Sequence, residues 1–253
     1  MKVKSFIAVM FLMMASVQTI CAQKIVLHKT NNQTIECNVS ELDSITFVEA
    51  EPIIDDGHEW VDLGLPSGTI WATCNVGANS PEEYGDYFAW GETSTKTMYN
   101  WSNYKYCNGS SNTITKYCTI SSYGTVDNKT ELEAEDDAAT VNWGSGWKMP
   151  SNAQIIELYD SNYTTTSWTT QNGVNGRLIT SVINGKTLFL PAAGYWDAAS
   201  LVNVGSNGDY SSSSLSIRYS KSAYSLTFDS NGIEWNYRSD RYIGRVVRPV
   251  RKQ

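Results

Sequence analysis

Histidine is nearly missing from this chain: His28 and His58 are the two in 253 residues. No Ser-His-Asp arrangement is legible and no Gly-rich phosphate loop occurs, so hydrolase and nucleotide chemistry lose their usual signatures. Basic residues are scarce as well, 19 Lys and Arg against 26 Asp and Glu, for a formal net charge of −7. No basic run could line a nucleic-acid groove, which excludes nucleic acid as a partner. Beyond the first 22 residues no stretch is apolar enough to cross a membrane as a helix. No repeat with a period of roughly 20–50 residues emerges, which excludes solenoids and propellers. Cysteine stops at Cys118, and the pattern CNGSSNTITKYC lacks the ligand spacing of a zinc site.

Aromatic and small polar residues are abundant. Trp, Tyr, Ser, Thr, Asn and Gly are plentiful, while charged residues make up 18%. That balance suits an exposed β-rich binding protein, whose rigid aromatics and adaptable hydroxyls serve recognition; it also suits a plain secreted β domain. The first residues, MKVKSFIAVMFLMMASVQTICAQ, have a basic start, an apolar middle and a small-residue end. This predicts a signal peptide over 1–22, hence a secreted or outer-surface location. Cys21 is a candidate lipid anchor, although Ile20 stands where lipoprotein signals usually carry a small residue. Export permits disulfides, and Cys107 and Cys118 flank a polar loop that a local disulfide would staple.

Residues 23–48 alternate as a small β-hairpin appendage with a third run at Ile45 and Phe47. The acidic 49–57 segment reads as a linker, and 58–253 as the main domain. Within it, 92–130 is a long polar, turn-rich region of the kind that is usually functional or mobile. Two short helices are expected, one over Asp136–Asn142 and one over Ala153–Tyr159 capped by Ser151. Between them, Trp143 and Trp147 read as a core-forming turn, with carbohydrate stacking as the alternative. From Ser167 onward the chain is β again, with a turn at Asn184-Gly185. The fold class is α+β, mostly antiparallel strands with two short helices.

The last stretch carries the clearest pattern. Tyr224, Leu226 and Phe228 alternate with polar residues, Asp229–Gly232 makes a turn, and Ile233, Trp235 and Tyr237 alternate with Glu234, Asn236 and Arg238. One face is expected in the core. The other, with Glu234, Asn236, Arg238, Asp240 and Tyr242 and the aromatic partners Tyr195 and Trp196, is the expected ligand-binding face. The run Gly244–Val250 is expected to close this sheet. Acidic residues at 131–137, with Glu135, Asp136 and Asp137 at their centre, are candidates for Ca²⁺; the competing reading is a helix N-terminus capped by carboxylates.

Several phrases, WVDLGLPSGTIWATCNVGA, PEEYGDYFAWGET, LEAEDDAATVNWGSGWKMPS, LFLPAAGYW, GDYSSSS and GRVVRPV, occur in order over residues 58–251. Together they resemble the Fibrobacter succinogenes major paralogous domain family, grouped with C-type-lectin-like and formylglycine-generating-enzyme-like folds. The resemblance implies a C-type-lectin-like fold that presents ligands near its C-terminal strands. Calcium-dependent lectins carry Glu-Pro-Asn or Gln-Pro-Asp beside Trp-Asn-Asp, and none of these occurs. Formylglycine-generating enzymes use paired cysteines near the C-terminus, and none follows Cys118. Some related folds are sequence-diversified receptors, and the Asn, Tyr, Ser and Asp richness of the C-terminal region is compatible with that. The expected function is non-catalytic recognition of a glycan or an extracellular protein. A structural surface or adhesin subunit, or a display scaffold, is the alternative, and a hydrolase using two carboxylates comes third.

Overall fold

The computed structural model describes residues 24–28, 34–39 and 57–252. The chain divides into two compact units, Met1–Ile53 and Ile54–Gln253. In the first, β1 (Lys24–His28) pairs antiparallel with β2 (Thr34–Asn38), from Lys24 opposite Asn38 to His28 opposite Thr34. Their exposed Lys24–Glu36 ion pair, at 3.0 Å, contributes little in open solvent. The expected signal peptide with Cys21, the run at Ile45 and Phe47, and 49–56 of the expected linker lie outside the described residues.

The second unit begins with β3 (Trp60–Asp62) and β4 (Thr69–Ala72), then reaches α1 (Ala138–Trp143) and α2 (Asn152–Leu158). There follow β5 (Thr164–Gln171), β6 (Val174–Ser181), β7 (Thr187–Pro191), β8 (Tyr195–Asp197) and β9 (Ser200–Val202). The chain finishes with β10 (Gly208–Leu215), β11 (Ser222–Phe228), β12 (Ile233–Asp240) and β13 (Val250–Lys252). These strands form small antiparallel sheets in the orders β13-β4-β3, β5-β6-β7, β8-β9 and β10-β11-β12. With its two helices the unit is α+β.

Local chemistry explains most elements. Ser151 and Gln154 form a reciprocal capping box that starts α2, and the Asp137 carboxylate accepts from Thr140 N to start α1. At the β11–β12 turn the Asp229 carboxylate accepts from Asn231 N at 2.7 Å and Gly232 N at 2.9 Å.

Three apolar cores hold the unit, the smallest of them gathering Val76, Phe88, Ala138, Ala139, Met149 and Val247. The first gathers Trp71, Ile155, Leu158, Ile179, Leu190, Tyr210, Leu226, Phe228 and Val246. The second is aromatic, with Trp90, Tyr99, Tyr104, Tyr106 and Tyr117, all buried. It fixes the polar region 92–130, so that region is built on its own core. Arg241, 0% exposed, lies at the heart of this second core. Its guanidinium carbon is 4.7 Å from the Trp90 ring centroid and 5.2 Å from that of Tyr104. It donates to Tyr104 Oη, Tyr117 O, Ser220 O and Lys116 O at 2.8 to 3.0 Å.

Several expectations are corrected. Gly244–Pro249 does not join β12. Gly244 pairs with Trp196, Arg245 with Phe88 and Val246 with Tyr210, and only β13 enters a sheet, beside β4. The run threads between sheets because Val246 and Val247 are buried from both sides. Tyr237 is 40% exposed rather than in the core, because a bulge between β11 and β12 shifts the register after Ser225. The polar side of β11 is also covered, since Ser225 is buried. The Cys107–Cys118 disulfide is not formed. The Cys107 thiol donates to Trp101 O at 3.1 Å and the Cys118 thiol to Ile120 O at 3.3 Å, so each is satisfied separately. Trp147 is buried, and Trp143 stacks on His58 with ring centroids 3.7 Å apart.

Candidate functional site

A polar hollow of about 240 Å³ opens where β8, β10 and β12 converge. Alternation on β8 turns Tyr195 and Asp197 into it and Trp196 away. The same period on β12 brings in Tyr237 and Ser239, and β10 supplies Asp209. Arg245 enters from the threading C-terminal run, its backbone held by reciprocal 2.9 Å hydrogen bonds with Phe88. The 203–207 loop contributes Asn203 and Asn207. Asn203 has φ +57°, a left-handed conformation that asparagine tolerates.

Charge lies at the bottom. Arg245 and Asp209 are 5% and 3% exposed, with Nε and Oδ1 3.8 Å apart. That is an ion-pair distance, and Arg245 Nε has no hydrogen-bond acceptor among the described residues. Another nitrogen of the guanidinium donates to Ser239 Oγ, while Asp209 accepts from Thr227 Oγ1 at 2.9 Å. Burial pushes the Asp209 carboxyl up, opposed by Arg245 and Thr227. Burial likewise pushes Arg245 down, opposed first by Asp209. Burial and the carboxylates of Asp209 and Asp197 push up the Tyr195 phenol.

Larger hollows exist, and in the largest among the described residues the carboxylates are already engaged. This hollow, of about 570 Å³, is lined by Glu131 and Asp137. Glu131 accepts from Ser213 and Ser214 at 2.8 and 2.6 Å, and Asp137 binds Thr140 N and Met149 N. The hollow around Arg245 differs in pairing a buried, incompletely bonded guanidinium with flanking tyrosines.

The ligand-binding face expected from alternation is divided. Tyr195 lines the pocket. Trp196 and Tyr242 pack on the aromatic core, with Trp196 6.3 Å from the Tyr99 ring and Tyr242 5.2 Å from that of Trp101. The Tyr242 phenol is pushed up to about 12 by burial and the neighbouring Asp197. Glu234 lines a neighbouring hollow at the β11–β12 turn. Arg238 lies 6.0 Å from the Tyr219 ring, and Asp240 pairs with Lys221 at 3.9 Å. The side chain of Asn236 lies outside the described residues. Sequence reasoning missed Asp197, Asp209, Tyr237 and Arg245. Asp209 and Arg245 fall inside the phrases GDYSSSS and GRVVRPV, but nothing in those phrases separates Arg245 from Arg248.

The acidic segment is arranged around lysines. Glu133, Glu135 and Asp136 have carboxylate oxygens within 4.8 Å of one another. Lys116 Nζ sits among them, 2.6 Å from both Glu133 and Asp136. Asp136 also accepts from Tyr106 Oη, from Tyr117 Oη at 2.7 Å and from Lys105 Nζ at 3.2 Å. Burial raises its carboxyl, but these donors outweigh burial and hold it well below the usual range. Asp137 is turned away to cap α1. No protein-family model, curated protein or solved structure matches this chain.

Proposed function

We infer that this chain is an exported, non-catalytic recognition protein that binds a glycan in the pocket around Arg245. The observation that carries this reading is the buried Arg245–Asp209 pair beneath Tyr195 and Tyr237. A guanidinium donates and a carboxylate accepts, and a sugar hydroxyl can do both, so adjacent hydroxyls complement the pair. The tyrosine faces cover the apolar side of a sugar ring. The C-type-lectin-like fold and membership of the Fibrobacter succinogenes major paralogous domain family belong to the same reading. Its support is that Asp209 and Arg245 fall in two of the family-like phrases and that several residues lining the pocket belong to the C-terminal strands. Export rests on the leader-like first 22 residues.

Asp197 and Asp209 share this pocket, which favours glycoside hydrolysis as the second reading. A glycan array probed with the mature chain tests the first reading, followed by product analysis of any bound glycan. Binding without cleavage, lost in Tyr195→Ala and in Arg245→Met, each shown still to be folded at the assay temperature, is the expected result. Cleavage would make the protein a hydrolase, and binding that survives both substitutions would remove this pocket from consideration.

A further inference from the structure

The pocket does not end at Asp209. Asn207 and Thr227 line both it and a second hollow of about 340 Å³ that runs toward the β11–β12 turn. Thr227 is the shared wall, because its hydroxyl is tied to Asp209 on one side while its residue lines the second hollow on the other. The second hollow adds the half-buried Ile233, the turn residues Asp229 and Asn231, and Glu234. The first hollow alone falls below the roughly 300–1,000 Å³ typical of small-ligand sites, whereas the two together lie well inside that range.

Charge narrows the ligand further. Asp197 and Asp209 face the first hollow and Asp229 and Glu234 the second, against the guanidinium of Arg245 and that of Arg177, which donates to Asp229 O at 2.9 Å. Asp229 keeps its charge, because the backbone N–H groups of Asn231 and Gly232 hold its carboxyl below the usual range. An acidic ligand would meet an excess of negative charge along the groove, because four carboxylates face two guanidinium groups. Interleaved with the carboxylates are neutral groups that donate and accept: Asn203, Asn207, Asn231, Thr227 and Ser239.

We propose that the two hollows are consecutive subsites for a neutral, hydroxyl-rich oligosaccharide of at least two residues, and that acidic glycans are rejected. This rests on the glycan reading of the Arg245 pocket and adds chain length and charge class to it.

The test is an array of mono- to hexasaccharides with neutral, sialylated and uronate members. It is probed with the mature wild-type chain and with Asn231→Ala, Glu234→Gln and Arg245→Met, each checked to be folded at the assay temperature. Neutral glycans of two or more residues are expected to bind at least tenfold more tightly than their terminal monosaccharides. Asn231→Ala is expected to erase that advantage while leaving monosaccharide binding unchanged, and Arg245→Met to remove both. Glu234→Gln is expected to relax the rejection of uronates. Monosaccharides binding as tightly as their oligomers, or sialylated or uronate members binding best to the wild type, would overturn the inference while leaving the Arg245 pocket standing. An array on which nothing binds overturns the glycan reading itself and this inference with it.

Discussion

Lys116 Nζ lies 2.6 Å from Asp136 Oδ2, and the same carboxylate collects hydroxyls from Tyr106 and Tyr117. This pair joins the turn before α1 to the aromatic core. Replacing Asp136 by Asn removes the negative charge and one of two acceptor oxygens shared by Lys116 and the two phenols, while Glu133 still pairs with Lys116. Leaving a buried phenol unsatisfied costs about 1–3 kcal/mol, so urea unfolding of Asp136→Asn should show a loss of that order.

The same site sets an acid limit. Asp136 has a depressed carboxyl in the folded state, so its stabilisation is complete above the unfolded value of about 4 and is lost as pH falls below it. Burial lowers Lys116, but the hydrogen bonds it donates to Asp136 and Glu133 outweigh that and raise it. Its contribution is therefore complete below about 10.4 and is lost only as pH climbs beyond that. Melting curves across pH should fall off more steeply below pH 4 for the wild type than for Asp136→Asn.

Calcium should have no grip on this cluster, because Lys116 already supplies the compensating charge. Calcium at millimolar concentration is expected to leave the melting temperature unchanged. Lys116→Met should create calcium sensitivity if the carboxylates remain in place, and a calcium-dependent rise in the wild type would contradict the arrangement.

Arg241 organises the 92–130 region. Arg241→Lys keeps the charge but replaces a planar fork by one ammonium, which cannot serve Lys116 O, Tyr117 O, Ser220 O and Tyr104 Oη together. A loss of about 3 kcal/mol or more is expected, with hydrogen exchange rising first in residues 96–123. Uniform exchange across the unit would show that Arg241 has no special hold on that region.

Cys107 and Cys118 should be recovered as unlinked cysteines. Without reductant, Cys107 is expected to react slowly in the native protein, and Cys118, fully buried, only after unfolding. A peptide map that recovers the two residues linked would contradict this.

Elements with local causes were legible. Both helices were expected within two residues of their positions, since Asp137 and Ser151 cap them from inside the same short segments. The β11–β12 hairpin was legible because Asp229 and Gly232 build its turn without outside help. The site was not. Alternation assigns alternate side chains to opposite faces of a strand, but it cannot say what covers each face. β10 is buried on both sides, Ser211 to Ser214 included, so polar character there carried no information about exposure. Tyr237 reached the pocket through a bulge, which no period of two anticipates.

Sequence by itself determined the strand-rich α+β class, the turns and the helix starts, because each depends on residues a few positions apart. Tertiary structure decided that Tyr195 and Arg245 share one pocket while Trp196 and Tyr242 serve the aromatic core. Those assignments arise where segments distant in the chain meet, and burial there is set by the partner segment rather than by the residue's own neighbours.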